Sequence, residues 1–381
     1  MTTVPVEAKA AATIRRFSII SPAVDLLCVG GLSILVLVPL LLSGRADLGF
    51  VTLGALAWIQ ILVNMSHFMA SYRILYRSRD MIVRHRWAAL GVPAILVLFI
   101  MAALAQTQAG GAPLLLGVLV AVSSGYLAWH YTGQTWGMMA SHAHLAGNRF
   151  DETERILIRT SLRILLAWHL IWFVRIWFQH TSLAMPAWVG PAYNLISAAA
   201  LLALALGGYG LLKMRARTGR FPPAPAVVAW LAIFVWYAAM ARWGLLGLFL
   251  VQLAHALQYL EFPARVELNR ATRTAAGRAA RHMALYVGAL VAVSFLVTLV
   301  VPGPAMGGVA EFFEVAPQRA APILILMFIN IHHYFTDGVI WKLSNPEVRR
   351  ELFAHMAPAE TPAPAAASVK RESRKRRKQR R

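Results

Sequence analysis

Three apolar stretches of this chain carry the same short signature, in which an amide side chain precedes a histidine by three residues. The signatures are Asn64–His67, Gln252–His255 and Asn330–His333, and a fourth apolar stretch carries His130. Polar side chains are costly inside a bilayer and persist there mainly where they pair, face a cavity or bind a ligand. Imidazole is also the commonest side-chain metal ligand. The four histidines are therefore predicted to bind one buried metal ion.

Helical spacing adds further candidates to this site. Asn330, His333 and Asp337 are separated by three and four residues and share one helix face, whereas His332 points about 100° away. We expect Asp337 and His332 to act as catalytic residues or additional ligands. A metal-bound histidine usually donates its second N–H to an amide, carboxylate or carbonyl. The amides expected to orient the imidazoles or bind the cofactor are Asn64, Gln134, Gln252, Gln258 and Asn330.

The composition is that of a multi-pass membrane protein. Of the 381 residues, 59% are hydrophobic and 14% are charged, whereas a soluble domain carries about 25% charged residues. The single cysteine, Cys28, excludes a disulfide and a cysteine-based metal site within one chain. The net charge of +21 lies in loops and in the last twelve residues, which favours membrane topology and anionic lipid over nucleic acid.

The apolar runs predict an all-α bundle of about ten transmembrane helices. They span residues 21–43, 49–72, 87–106, 113–140, 156–178, 190–212, 226–241, 243–262, 283–301 and 320–341. Almost all Lys and Arg residues lie in alternate connections, and the other connections hold only Arg45, Arg242 and Arg319. By the positive-inside rule both termini are cytoplasmic, as in a bacterial-type inner membrane protein.

This topology divides the chain into four predicted segments. They are a cytoplasmic N-terminal segment 1–20, a transmembrane bundle 21–341, a juxtamembrane segment 342–356 and a disordered basic tail 357–381. Within the bundle, His67 lies six residues before Arg73, and His255 lies ten before Arg265. The imidazoles are therefore expected in the cytoplasmic half or near the middle of the membrane.

Imidazoles with a carboxylate and no thiolate suit iron, copper or zinc. Histidines dispersed over separate spans resemble the bacterial membrane-bound β-carotene-cleaving oxygenases and, more distantly, the membrane desaturases and hydroxylases. The resemblance implies non-haem iron and an apolar lipid or isoprenoid substrate. The HxxxH and HxxHH boxes of desaturases are absent, so a single iron is expected. The residues that carry the resemblance are His67, His130, His255, His332 and His333.

Other functions remain open from the sequence. The segment from His332 to Gly338 is similar to the HHxxT segment around copper in haem–copper oxidases. Two facing histidines would also suit a haem- or quinone-binding electron-transfer protein, and polar residues through the whole bilayer would suit an ion or proton transporter. His142 and His144 are either interface residues or ligands. Since the chain carries no soluble reductase module, a redox enzyme would need an external electron donor.

Overall fold

The computed structural model describes residues 17–44, 58–109, 114–181, 183–300, 317–342 and 345–356, and all the regular structure in these ranges is helical. Eight helices there are long and apolar enough to cross a membrane. We number the helices along the chain. They are α1 Pro22–Leu42, α2 Ser66–Leu75, α3 Arg79–Arg84, α4 Val92–Gln108, α5 Leu114–Leu145, α6 Glu152–Gln179, α7 Val189–Thr218, α8 Ala224–Trp243, α9 Leu245–Ala275, α10 Ala279–Phe295, α11 Pro317–Ile340 and α12 Pro346–Leu352.

Within the described residues, each of the ten predicted apolar runs coincides with helical structure. Eight runs match the long helices, and the other two correspond to α2 and α11. A π-helix at Gln60–Met65 leads directly into α2, and the start of that run lies outside the described residues. The predicted disordered tail and the first sixteen residues also lie outside them.

Polar N-capping side chains mark where two of the helices begin. The hydroxyl of Ser21 accepts from the backbone N–H of Val24 at the start of α1. At the start of α6, Asp151 and Glu154 form a reciprocal capping box, with 2.8 Å between each carboxylate and the other residue's N–H. Such a box satisfies two N–H groups that the first helical turn leaves free. Arg217 of α7 also binds Glu154 and ties the two helices together at this end.

A single glycine separates α8 from α9. Gly244 has φ 58° and ψ −128°, a backbone conformation that is essentially restricted to glycine. This sharp turn makes α8 and α9 an antiparallel hairpin. Gly247 lies so close to the backbone of Ala239 that a Cβ there would overlap its carbonyl oxygen. The hairpin is therefore held tightly at the end from which α9 carries His255 into the bundle.

The main core lies where α5, α6, α8 and α9 meet. Trp236 of α8, Tyr131 and Met138 of α5, and Leu165 of α6 are almost fully buried there. α7 packs along the outer side of α6, and α11 packs against α2, α4 and α5. Large apolar side chains instead cover the outer surface, with Leu195 and Leu201 of α7 74% and 73% exposed. An apolar outer surface of this kind suits contact with lipid tails.

The segment after α11 folds back onto the bundle. Glu351 of α12 forms two 2.7 Å contacts with the guanidinium of Arg77. The Asn269 side chain of α9 donates to the carbonyl of Glu351 at 2.8 Å. His355, just beyond α12, donates from Nε2 to the carbonyl of Ser18 at 3.0 Å. The juxtamembrane segment is therefore docked across the ends of α1 and α9.

Candidate metal centre

The four histidines predicted as ligands meet in one place. His67 of α2, His130 of α5 and His333 of α11 each present a ligand atom within 4.8 Å of the others. The ring of His255 of α9 lies 4.7 Å from the ring of His130 and 5.4 Å from that of His67, between centroids. Non-adjacent segments of the chain thus bring their imidazoles together in a buried cluster, which we call the histidine cluster.

The backbone carbonyl of Asn64 fixes the tautomer of His67. Its Nδ1 lies 2.7 Å from the carbonyl oxygen of Asn64. Because a carbonyl can only accept, Nδ1 carries the proton and donates it. In the neutral imidazole, Nε2 therefore presents a lone pair. This Nε2 lies 3.0 Å from Nε2 of His333.

His333 receives its orientation from Ser71, one helical turn beyond His67. The Ser71 hydroxyl lies 2.7 Å from the carbonyl of Phe68 and 2.9 Å from His333 Nδ1. When the hydroxyl donates to Phe68, it accepts from Nδ1–H, and Nε2 of His333 also presents a lone pair. Two lone pairs 3.0 Å apart repel each other unless a cation lies between them. When the hydroxyl donates to Nδ1 instead, Nε2–H of His333 donates to His67 without a metal.

Orphaned nitrogens distinguish these two proton arrangements. Both ring nitrogens of His255 and Nε2 of His130 are buried without a hydrogen-bond partner. A buried polar atom that lacks a partner costs about 1–3 kcal/mol. The metal-free arrangement satisfies His67 and His333 but leaves these three nitrogens without partners. An ion could bind Nε2 of His130 and one ring nitrogen of His255, so the donor set fits a metal.

Asp337 supplies the carboxylate of the site. Its Oδ2 lies 3.1 Å from Nε2 of His333 and 3.6 Å from Nε2 of His130. Its other oxygen, Oδ1, accepts from the Tyr259 hydroxyl at 2.7 Å, and that hydroxyl accepts from the indole N–H of Trp341 at 2.7 Å. This chain of hydrogen bonds holds the carboxylate with one oxygen directed towards the imidazoles.

The distances indicate the angles around an ion. Two atoms bound at about 2.1 Å lie about 3.0 Å apart at a right angle and about 3.4 Å apart at a tetrahedral angle. The observed 3.0 Å between His67 and His333 and 3.1 Å between His333 and Asp337 match the right angle. Right angles occur in square-planar, five-coordinate and six-coordinate complexes, so these atoms would suit an ion with one of those geometries. Two imidazoles and one carboxylate are a ligand set that several transition-metal ions accept.

Two of the predicted amides lie beside the cluster and bind backbone and each other. Gln134 of α5 donates to the backbone carbonyl of His255 at 3.1 Å and to Oε1 of Gln258 at 2.9 Å. Gln258 in turn donates to the carbonyl of Val29 at 2.7 Å. That carbonyl belongs to a π-helical turn of α1 where Gly30 has φ 137°. These amides therefore fix α9 against α5 and α1 without touching an imidazole nitrogen.

The other three amides lie differently from the sequence expectation. Asn64 holds His67 through its backbone carbonyl, Asn330 donates to Leu326 O of its own helix at 3.0 Å, and Gln252 contacts Gln60 at 3.5 Å. The amide one turn before each histidine therefore does not orient the ring with its side chain. Asparagine inside a helix readily bonds the carbonyl four residues earlier, which keeps its amide away from the ring.

His332 also lies outside the histidine cluster. Its Nε2 donates to the carbonyl of Ala88 at 2.8 Å, and its ring stacks on Tyr72 with centroids 4.9 Å apart. The hundred-degree turn per helical residue directs it towards α2 and the segment before α4. Sequence reasoning assigned His332 a catalytic or ligand role, whereas its contacts are those of a packing residue.

Sequence reasoning missed Ser71 and Tyr259, which hold His333 and Asp337. Both lie four residues after a predicted ligand, Ser71 after His67 and Tyr259 after His255. Residues four apart share a helix face, so a search for hydroxyl groups one turn after each histidine would have found both. Their partners lie on α11, a helix distant in sequence, and no local pattern indicates that contact.

An apolar cavity of about 450 Å³ opens beside the cluster. His130, Asp337 and Tyr259 line its inner end, while Trp129 and Phe335 line it nearer the surface. Trp129 is 64% exposed on the outer, lipid-facing side of α5. The cavity therefore joins the histidine cluster to the outer surface of the bundle between α5 and α11.

Comparisons with protein-family models, with curated proteins and with solved structures gave no match for this chain.

Proposed function

We propose that this protein is a membrane-embedded, metal-dependent oxidoreductase that oxygenates, hydroxylates or desaturates an apolar lipid or isoprenoid. Its cofactor is a single non-haem iron bound by His67, His333 and Asp337, with His130 and His255 completing or bordering the coordination. The observation that carries the proposal is the convergence of imidazole nitrogens and a carboxylate oxygen at 3.0–3.6 Å, with three buried ring nitrogens left unpartnered. When bound, iron supplies activation of dioxygen.

The residues around the ion have separate tasks in this proposal. Asn64 and Ser71 hold the imidazoles in the tautomers that bind a metal, and Tyr259 holds Asp337. The apolar cavity admits a lipid chain sideways from the bilayer and excludes water. Its aromatic lining gives a flat, apolar wall suited to an unsaturated or isoprenoid chain. Tyr259 and Asp337 lie at the junction of cavity and cluster, where a proton donor and acceptor can reach a bound substrate.

The geometry supports non-haem iron over a haem ligated by His67 and His333. Two axial nitrogens on opposite faces of a haem lie about 4 Å apart, because each metal–nitrogen bond is about 2.0 Å long. The 3.0 Å separation of His67 and His333 leaves no room for a porphyrin between them. A quinone or haem electron carrier and a transporter with a histidine-lined path remain the competing functions, and copper remains the competing metal.

Metal analysis combined with absorption spectroscopy tests the proposal. Purified protein in detergent is expected to contain one iron per chain at this site and no Soret band. His333→Ala is expected to lose that iron, whereas His180→Ala, at the exposed end of α6, is expected to retain it. Equal iron in the two variants would refute the assigned ligands. A Soret band would favour the haem alternative, and no metal after reconstitution with Fe²⁺ would favour transport.

A further inference from the structure

A second group of metal-ligating side chains lies elsewhere in the bundle. Asp25 of α1, His142 of α5 and Glu261 of α9 each present a ligand atom within 4.8 Å of the others. All three residues are at least 97% buried. We call them the acidic cluster. Sequence reasoning left His142 open between ligand and interface residue and did not connect it with either carboxylate.

The acidic cluster is separate from the histidine cluster. Glu261 follows His255 by six residues on α9, and His142 follows His130 by twelve on α5. At 1.5 Å per residue these separations are about 9 Å and about 18 Å along the helix axes. Two metal ions that act together on one substrate lie about 3.5–4 Å apart. The acidic cluster therefore belongs to a different site.

Asp25 is held in place by backbone N–H groups. One carboxylate oxygen accepts from the N–H of Ile19 at 2.7 Å, and the other accepts from the N–H of Ile20 and Ser21 at 2.8 and 3.0 Å. These three hydrogen bonds fix the position of the carboxylate beside His142 and Glu261. The turn before α1 folds over Asp25 and buries it.

Glu261 and His142 have no such partners. Both carboxylate oxygens of Glu261 and Nε2 of His142 are buried without a hydrogen bond. The 3.6 Å between His142 Nε2 and Glu261 Oε1 exceeds the length of a hydrogen bond. Three ligand atoms without hydrogen-bond partners, from two residues, therefore lie beside the carboxylate of Asp25.

The neighbouring arginine does not donate a hydrogen bond to Glu261. Arg265 lies one turn after Glu261, and its guanidinium donates to the carbonyls of Ile19 and Ile20 and to Asn269 Oδ1. Arg265 adds a positive charge near the two carboxylates. Its guanidinium hydrogen bonds, however, go to the two backbone carbonyls and to Asn269 Oδ1. Glu261 thus has a cation nearby and no donor in hydrogen-bond contact.

We propose that Asp25, His142 and Glu261 form a second cation site, which binds one divalent transition-metal ion of the Mn²⁺, Fe²⁺ or Zn²⁺ class. Two carboxylates and one imidazole match the ligand preferences of these ions. The ion would link α1, α5 and α9, which carry Asp25, His142 and Glu261. It has a structural role, because the turn at 18–21 and the docked segment around His355 cover this end of the bundle.

The test is cobalt stoichiometry on the full-length protein. Chelator-treated protein is loaded with Co²⁺, dialysed and analysed for cobalt per chain. Wild type is expected to bind two ions, His333→Ala and Glu261→Gln one each, and the double variant none. Glu267→Gln is the matched control, since this buried glutamate of the same helix is already paired with Arg73 and His282. It is expected to keep both ions.

The outcomes separate this site from the proposed function. If His333→Ala keeps all of its cobalt while Glu261→Gln loses one ion, the acidic cluster stands and the histidine cluster fails. If Glu261→Gln binds as much cobalt as wild type, the second site is refuted. Should Glu261→Gln fail to fold, anomalous diffraction from cobalt-loaded wild-type crystals decides. A peak between the three side chains supports the site, and its absence refutes it.

Discussion

Replacement of Ser71 by alanine isolates the tautomer on which the metal centre depends. In the metal-binding arrangement the Ser71 hydroxyl accepts from His333 Nδ1–H at 2.9 Å, which leaves Nε2 free for the ion. The variant removes that acceptor and leaves a buried N–H without a partner. The imidazole can then adopt the opposite tautomer, in which Nε2 carries the proton and no longer binds metal.

Two independent estimates give the size of this effect. An unsatisfied buried donor costs about 1–3 kcal/mol. Loss of a group that orients a metal ligand weakens metal binding by about 10–100-fold, which corresponds to about 1.4–2.8 kcal/mol. The two ranges agree. We therefore expect Ser71→Ala to raise the dissociation constant for Fe²⁺ or Co²⁺ at the histidine cluster by about 10–100-fold.

Ser66 provides the matched control on the same helix. It is also buried, and its hydroxyl lies 3.1 Å from the hydroxyl of Ser294, away from the imidazoles. Metal titration, followed by cobalt absorption or by competition with a chelator, compares Ser71→Ala with Ser66→Ala. Both variants lose one buried hydroxyl, but only Ser71→Ala is expected to lose affinity. Equal affinities in the two variants would refute the argument from tautomers.

Three further outcomes are expected. Tyr259→Phe removes the donor to Asp337 and leaves the indole N–H of Trp341 without its acceptor, so the melting temperature and metal affinity should both fall; an unchanged affinity would contradict the assigned role. Gly244→Ala forces a Cβ into a glycine-only conformation and should cost about 1–3 kcal/mol, measured by thermal unfolding. Burial, with the charge of Arg265, lowers the pKa of His355 below its usual 6.5. The unfolded chain then binds the proton more readily, so stability should fall as the pH drops below about 6.5, and His355→Gln should lessen that fall.

The sequence predicted the helical class and the participants of the histidine cluster. Each of the ten apolar runs coincides with a helix, and His67, His130, His255 and His333 meet although they come from distant parts of the chain. Intramembrane histidines are costly and persist mainly where they pair, face a cavity or bind a ligand, which made these four residues candidates for one site. The number of spans and the orientation of the termini remain predictions from loop charge.

The immediate partners of the imidazoles were harder to predict. The sequence favoured the amides one turn before each histidine as the groups that orient the rings. The backbone carbonyl of Asn64 orients His67 instead, and the hydroxyl of Ser71 orients His333. Which polar group reaches a ring depends on the rotation of each helix about its axis and on its neighbours. Neither quantity is encoded in a four-residue signature. The same limit explains why His332, adjacent to His333, was given a role that its contact with Ala88 does not support.

The acidic cluster depended even more on tertiary structure. Asp25, His142 and Glu261 are separated by more than one hundred residues along the chain, and no spacing rule connects them. Asp25 stands near the start of the first apolar run, 21–43. Its burial follows from the turn at Ile19–Ser21, whose N–H groups point back at the carboxylate.

Anomalous diffraction at the iron edge from crystals of the iron-loaded protein tests the central claim most directly. The account predicts one peak within about 2.0–2.2 Å of Nε2 of His67 and of Nε2 of His333, with Asp337 Oδ2 also in bonding range. An iron peak remote from these atoms would contradict it. So would a fully loaded crystal in which His67 and His333 share only a hydrogen bond.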